Sequence, residues 1–251
     1  MSEPTGSVEV RAYAELNDFL PADSRGATVR RPFRPHQTVK DVLEAMGIPH
    51  TEVDLILVNG SPQGFGYRPS AGDRIAAYPM FEALDIGSTA RLRPVPLRDT
   101  RFVVDVNLGR LARLLRVLGF DVWWSSQADD ATLADISVRE QRILLTRDRA
   151  LLKRSAVTHG LFVHSQHPEE QTLEVLRRLD LGQRLAPLTR CLHCNGALVA
   201  VAKHEVIDQL EPLTRQYYEE FSRCAECGRI YWAGSHHARL AGLAQRIRDQ
   251  L

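Results

Sequence analysis

All four cysteines of the chain lie in two Cys-x-x-Cys pairs, CLHC at 191–194 and CAEC at 224–227, with 29 residues between them. Two such knuckles can present four thiolates tetrahedrally to one Zn²⁺. A disulfide pair and a redox dithiol compete with that reading. The N-terminus, MSEPTGSVEV, has neither a basic n-region nor an apolar core, so it does not read as a secretory signal. No run of eighteen apolar residues suggests a membrane span. The expected location is therefore the cytoplasm, where paired Cys-x-x-Cys motifs are better read as metal ligands than as disulfides. Cys191, Cys194, Cys224 and Cys227 are the expected structural zinc site. His193 lies inside the first knuckle, and four thiolates leave it no role as a ligand. Gly196 and Gly228 follow the knuckles as expected turn residues. The 29-residue insert reads as partly helical.

With 251 residues the chain is long for one average domain, and two or three units are expected. Residues 1–90 carry a net charge of −4, residues 91–182 of +3 and residues 183–251 of +2. The basic side chains are nearly all arginine, with lysine only at 40, 153 and 203. Arginine suits bidentate phosphate contacts. The mild asymmetry permits a nucleic-acid partner for the later segments without demanding one.

Residues 102–182 alternate strand and helix patterns. FVVDV, DVWW, RILLT and LFVHS read as strands; LGRLARLLRVLG, DDATLADISVREQ, RDRALLKRSAV and EEQTLEVLRRLD read as helices. That order predicts a mostly parallel sheet covered by helices, with ligands bound beyond the carboxyl ends of the strands. Asp105 closes the first strand. Asp129 and Asp130 open the helix after the second, and Asp148 follows the third. A group of carboxylates needs a cation, and hard oxygen donors select Mg²⁺ or Mn²⁺. Asp129, Asp130 and Asp148 can also serve as helix N-caps. For Asp105, ending an apolar run, a purely structural role is least satisfying. Arg110, Arg113 and Arg116 recur on one flank of a helix, and Arg147, Arg149 and Lys153 surround Asp148, so these six are the expected phosphate contacts. Phospho-aspartyl chemistry at Asp105 is a rival, but it wants a second acid two residues on, where Asn107 stands.

The first ninety residues read as β-β-α-β-β. SVEVRAYAE and ATVRRPF are strands, and Thr38 caps a helix through VKDVLEAMG that stops at Gly47. DLILVNG ends in an Asn-Gly turn, and AGDRIAAYPMF is a turn and strand. Arg- and Pro-rich residues around 91–101 read as a linker.

Three resemblances follow from these motifs. Val58-Asn59-Gly60 and Gly72-Asp73-Arg74-Ile75 resemble the ubiquitin-like β-grasp sulfur carriers. Those end in a free Gly-Gly, whereas here the chain continues through Ile86-Gly87-Ser88, which points to a binding or positioning module. VVDVNLGRLARLLRVLGFDV, the DD pair and RILLTRDRALLKR resemble the PIN-like RNase domain at the C-terminus of the Mut-seven exonuclease family. RIYWAGSHHARL resembles that family's zinc-ribbon end. The resemblance implies cleavage of single-stranded RNA with Asp105, Asp130 and Asp148 holding Mg²⁺ or Mn²⁺, and Asp129 as an alternate or fourth ligand. Asn107 is expected to support those ligands. Tyr231 and Trp232 are expected to cover the zinc site rather than stack on bases, and His236 is a candidate to reach the nuclease mouth.

The expected architecture is multi-domain α/β: an α+β ubiquitin-like β-grasp domain at 1–90, a linker at 91–101, a PIN-like parallel α/β sandwich at 102–182, and a four-cysteine zinc ribbon at 183–251. The expected activity is that of a metal-dependent ribonuclease. The alternative is a non-catalytic RNA-binding adaptor whose β-grasp module recruits a protein partner.

Overall fold

The computed structural model of the chain describes residues 6–79 and 100–251. Most of the expected linker and the Ile86-Gly87-Ser88 stretch lie outside the described residues. In the N-terminal segment, strands β1 (Gly6–Ala12) and β2 (Thr28–Phe33) precede helix α1 (Val39–Ala45). Strands β3 (Leu55–Val58), β4 (Ser61–Pro62) and β5 (Arg74–Tyr78) follow. The next segment alternates as its periodicity predicts: β6 (Arg101–Val104), α2 (Gly109–Val117), β7 (Asp121–Trp123), α3 (Asp130–Arg139), β8 (Ile143–Thr146), α4 (Arg149–Leu152), β9 (Gly160–Phe162) and α5 (Pro168–Arg178). The last segment holds β10 (Leu198–Val201), α6 (Lys203–Val206), α7 (Pro212–Tyr217), β11 (Phe221–Cys224), β12 (Ile230–Trp232) and α8 (Ser235–Arg248).

Two compact units divide these elements. One combines the N-terminal segment with residues 130–162, and the other combines residues 99–129 with 163–251.

In the first unit, five strands form a mixed sheet in the order β2-β1-β5-β3-β4. The outer pairings are antiparallel, while β1 and β5 run parallel with Val10 opposite Ile75. This is the β-grasp arrangement. Helix α1 starts where expected because Thr38 and Asp41 form a capping box: Thr38 Oγ1 accepts from Asp41 N at 3.3 Å, and Asp41 Oδ2 accepts from Thr38 N at 2.7 Å. Backbone and side-chain bonds to Thr38 hold the Asp41 carboxyl below its usual range. Val39, Val42 and Leu43 from one helix face join Val8, Val10, Ile56 and Ile75 in a continuous core. Asn59 and Gly60 turn the chain at φ 52° and 84°, the left-handed pair that a tight hairpin requires.

Within the same unit, β8 and β9 pair in parallel with Leu145 opposite Leu161. The α4–β9 stretch packs on the β-grasp module. Arg149 lies over the rings of Phe19 and Phe162 at 5.1 and 5.5 Å, and donates to Phe19 O at 3.2 Å. Lys153 Nζ donates to Glu44 O at 2.6 Å, and the His50 ring bridges Glu44 Oε1 at 2.7 Å and Val157 O at 2.9 Å. Helix α4 is four residues long, shorter than the expected RDRALLKRSAV.

In the second unit, β6 and β7 pair in parallel with Phe102 opposite Val122. Helix α2 covers them with Leu111 and Leu115, both fully buried. It ends at Gly119, φ 96°, where a Cβ would lie 2.0 Å from Ala186 O. Only glycine accommodates both demands. Gly109 opens α2 for a different reason: a Cβ there would sit 2.7 Å from the Trp124 ring. Strands β10-β11-β12 form an antiparallel sheet. The helical insert foreseen between the cysteine pairs is α6 and α7, and Val206 and Leu210 bury against Phe221. Helix α8 was not anticipated from sequence.

Candidate functional site

The four cysteines converge. Their sulfur atoms all lie within 4.8 Å of one another. Cys191 Sγ and Cys227 Sγ are 3.6 Å apart, and Cys194 Sγ and Cys224 Sγ 3.4 Å. In each pair the backbone N–H of the second cysteine points at the sulfur of the first, at 3.5 Å for Cys194 to Cys191 and 3.5 Å for Cys227 to Cys224. All-thiolate donors at this spacing suit a tetrahedral Zn²⁺. Tyr231 Oη lies 3.0 Å from Cys191 Sγ, so this ring covers the site. Burial works against the Cys191 thiolate, but the Cys194 N–H and the Tyr231 hydroxyl hold its pKa at about 6. Burial pushes the neighbouring Cys194 thiol the other way, up to about 12. His193 is exposed and stands outside the group.

The turn after the first knuckle corrects one expectation. Asn195, at φ 74°, is the left-handed residue there, matching Gly228 at φ 72° after the second. Gly196 is needed for close approach instead: a Cβ would lie 2.5 Å from Glu226 Cγ and 2.9 Å from Cys224 Sγ. Asn195 also ties the knuckle to β7, since its Oδ1 accepts from Val122 N at 2.8 Å and its Nδ2 donates to Asp121 Oδ1 at 2.8 Å. Sequence reasoning missed Asn195. The signal was its type, because asparagine is the residue after glycine best suited to a left-handed turn.

Arg116 completes that tie. It is 6 % exposed, and its guanidinium donates to Val122 O at 3.1 and 2.8 Å and to the knuckle carbonyls of Leu192 and His193 at 3.4 and 3.2 Å. Burial lowers its pKa while the nearby Cys191 and Cys194 oppose the shift. Of the six basic residues singled out from sequence, Arg116 is thus engaged inside the fold, while the exposed Arg149 and the half-buried Lys153 bond the β-grasp module. Arg110, Arg113 and Arg147 are exposed.

The carboxylates divide between the two units. Asp105 ends β6 in the second, 7 % exposed, and its Oδ1 accepts from Asn107 N at 3.2 Å and Asn107 Nδ2 at 3.4 Å. Asn107 therefore orients the Asp105 carboxylate. Asp129 is exposed at the end of the same unit's 99–129 stretch. In the first unit, Asp130 opens α3 with an Arg154 nitrogen 3.8 Å away. Asp148 follows β8 and caps α4, accepting from Ala150 N at 2.7 Å and Leu151 N at 3.4 Å. Thr146, fully buried at the end of β8, steadies that turn by accepting from Asp148 N at 2.9 Å. His236 and Trp232 are exposed, and the Trp232 ring lies 6.5 Å from that of Tyr218.

Comparison with known proteins assigns the chain. The family model described as Mut7-C ubiquitin matches residues 5–85, and the model described as Mut7-C RNAse domain matches residues 100–244. A crystal structure of SAMP1 from Haloferax volcanii is 29% identical over 31% of this chain and 99% of that one, with a TM-score of 0.26. A crystal structure of H. volcanii small archaeal modifier protein 1 is 28% identical over 30% of this chain and 97% of that one, with a TM-score of 0.25. No curated protein matches. Among the described residues, no helix is long and apolar enough to cross a membrane. The RNase model runs from β6 through all four cysteines into α8, more than half of the sequence, so the chain belongs to the Mut7-C RNAse domain family and carries a Mut7-C ubiquitin module before it.

Proposed function

We propose that this protein is a divalent-metal-dependent ribonuclease acting on single-stranded RNA, with Asp105, Asp130 and Asp148 as ligands of Mg²⁺ or Mn²⁺ and Asp129 as an alternate or fourth. The observation that carries the reading is Asp105: a carboxylate nearly closed from solvent at the carboxyl end of a parallel strand, aimed by two N–H groups of Asn107. Oxygen donors of this kind suit a hard cation. A bound ion would polarise the phosphodiester and lower the pKa of an attacking water. Asn107 holds Asp105 in one orientation, and the backbone bonds of Asp148 fix its carboxylate at the start of α4. Arg110, Arg113 and Arg147 are exposed and are the expected phosphate contacts. The β-grasp module then serves to position the α4–β9 stretch, and its remaining surface is available to a protein partner.

The test is cleavage of a labelled single-stranded RNA by the zinc-loaded chain with Mn²⁺, with Mg²⁺ and with chelator. Asp105→Asn and Asp148→Asn are each expected to lower the rate by about a hundredfold or more. A folded parent that leaves the RNA intact under every condition points instead to an RNA-binding adaptor.

A further inference from the structure

Trp232 does not cover the zinc site, and the register of its sheet shows why. Successive strand residues face opposite sides of a sheet. Tyr231 points to the sulfur side, with its Oη 3.0 Å from Cys191 Sγ. Trp232 therefore points to the other side, in one row with Phe221 and Val201. That face is only partly covered. Val206, Leu210 and Tyr218 pack in the cluster around Phe221, while Trp232 stays 37 % exposed, its ring 6.5 Å from that of Tyr218. An indole with that much open surface, at the edge of a small core, is a platform for another flat group.

Helix α8 begins at this platform. A Cβ on Gly234, the residue before α8, would lie 3.0 Å from Trp232 Nε1 and 3.6 Å from Tyr218 Oη, so the chain enters the helix against both rings. The fourteen residues of α8, SHHARLAGLAQRIR, contain no carboxylate. Ala244 and Ile247 mark its buried face. Arg239 and Arg246, seven residues apart, share nearly one bearing on the helix, turned away from that face, with Gly242 between them. Both are exposed, and among the described residues neither is paired with a carboxylate. They lie roughly 10 Å apart along the axis, so they meet separate phosphates. Two of the acids nearest in sequence are already engaged. Asp249, after α8, accepts from Gln245 Nε2 at 2.7 Å, and Glu219, after Tyr218, is bonded by Lys203 Nζ at 2.6 Å. Glu220 stays exposed, so the aromatic end supplies stacking and the helix supplies the charge. An open ring beside a row of unpaired arginines fits single-stranded RNA, whose bases stack and whose phosphates take the cations. An acidic polypeptide would use the arginines and leave the ring idle.

We infer that Trp232, with Arg239 and Arg246 of α8, forms a docking surface for single-stranded RNA, one base on the indole and two phosphates along the helix, in addition to the residues assigned to cleavage. That the occupant is RNA rests on the ribonuclease reading, but binding is measured apart from cleavage. The measurement is fluorescence anisotropy of a labelled single-stranded RNA with the zinc-loaded full chain, without added Mg²⁺ or Mn²⁺. The parent is compared with Arg239→Ala/Arg246→Ala and with Trp232→Ala, each checked for zinc content and thermal melting. The double arginine variant should bind roughly tenfold or more weakly, with a salt slope smaller by about 1.4, as two lost phosphate contacts on a single strand require. Trp232→Ala should also bind roughly tenfold more weakly, but with the parent's salt slope. Trp232→Phe, which keeps a ring, should retain most of the affinity. The parent itself should prefer RNA to an abasic ribose-phosphate strand of the same length, so the stacking contact is tested even where Trp232→Ala fails to fold. Parental affinity and salt slope in the folded variants, or a folded parent with no affinity for RNA, overturn the surface. Equal binding of the abasic strand overturns the role of Trp232. A glutamate oligopeptide that displaces the RNA as well as unlabelled RNA does assigns the surface to an acidic protein and overturns the RNA assignment. A parent that binds RNA here yet never cuts it with Mn²⁺ sinks the ribonuclease reading and leaves the surface standing. A parent that cuts, with an unchanged KM in the double arginine variant, sinks the surface alone.

Discussion

The zinc lobe and the β-grasp module each clasp a different piece of the α/β segment, and they do so with different chemistry. The first knuckle is fastened to α2 and β7 by a nearly buried arginine, Arg116, and by the Asn195 side chain, through main-chain partners and the Asp121 carboxylate. The β-grasp module holds α4 and β9 through groups of mixed exposure: the exposed Arg149 over Phe19 and Phe162, the half-buried Lys153 on Glu44 O, and a bridge from the buried His50. A buried, multiply bonded cation is costly to disturb, because its loss strands several carbonyls without donors. An exposed cation over a ring is worth far less. The difference suggests that the zinc lobe is an integral part of its unit, and that the β-grasp contact is the more easily remodelled of the two.

Metal removal should produce the largest effect. Structural zinc sites of this type contribute on the order of 10 kcal/mol to folding. Cys224→Ser, or chelation, should abolish zinc binding and melt β10–β12, read by metal content and by thermal melting. Survival of the lobe's melting transition without zinc would break the comparison. Arg116→Ala comes next, with an expected loss of about 3 to 5 kcal/mol. Arg113→Ala, three residues away on the same helix but exposed, should cost less than about 0.5 kcal/mol. Equal stabilities for the two variants in urea would show that Arg116 is no clasp.

Acid sharpens the comparison from inside the second unit. The Glu174 carboxylate is resisted by burial, yet the His164 ring at 3.0 Å and the backbone N–H groups of His164 and Ser165, both at 2.9 Å, hold its pKa at about 2. Because its folded pKa lies below the ordinary 4.5, Glu174 contributes stability that is fully present above pH 4.5 and is lost as pH falls toward 2. The contribution is up to about 3 kcal/mol, less what solvent screening removes. Glu174→Gln should flatten the stability curve between those limits, and an unchanged curve would remove Glu174 from the account. The smallest effect belongs to the β-grasp contact, where Arg149→Ala should cost about 1 to 2 kcal/mol. Faster proteolysis or hydrogen exchange around β9 would report it. A loss as large as that of Arg116→Ala would erase the distinction between the clasps.

Much of this organisation is legible in the sequence, and the exceptions share a cause. Strand and helix order through residues 102–182 follows from apolar periodicity, which is a local property. Thr38, Gly47, the Asn59-Gly60 turn and Gly119 announce themselves because caps and left-handed positions accept few residue types. The four-cysteine cluster is legible because the chemistry of metal binding dictates such spacing. The fates of Arg116, Arg149 and Lys153 are not, since their partners are carbonyls far away in the chain, and a carbonyl leaves no mark in a sequence. Arg110, Arg113 and Arg116 look alike at three-residue spacing, yet helical rotation buries only the last. Helix α8 escaped notice because Gly242 interrupts it and its buried face is thin, with Ala244 and Ile247 alone fully covered. Gly109 looked like part of a motif, and only the Trp124 ring against it shows why no larger residue fits.

The proposed ribonuclease reading stands or falls on Asp105 and Asp148 as ligands of one divalent ion. Its most direct test is Mn²⁺ titration of the zinc-loaded chain, followed by electron paramagnetic resonance, for the parent, Asp105→Asn and Asp148→Asn. The account predicts one Mn²⁺ per parent chain in addition to zinc, with each variant weakening that same ion by roughly tenfold or more. Undiminished Mn²⁺ binding in either variant, or loss of two separate ions by the two variants, would contradict it.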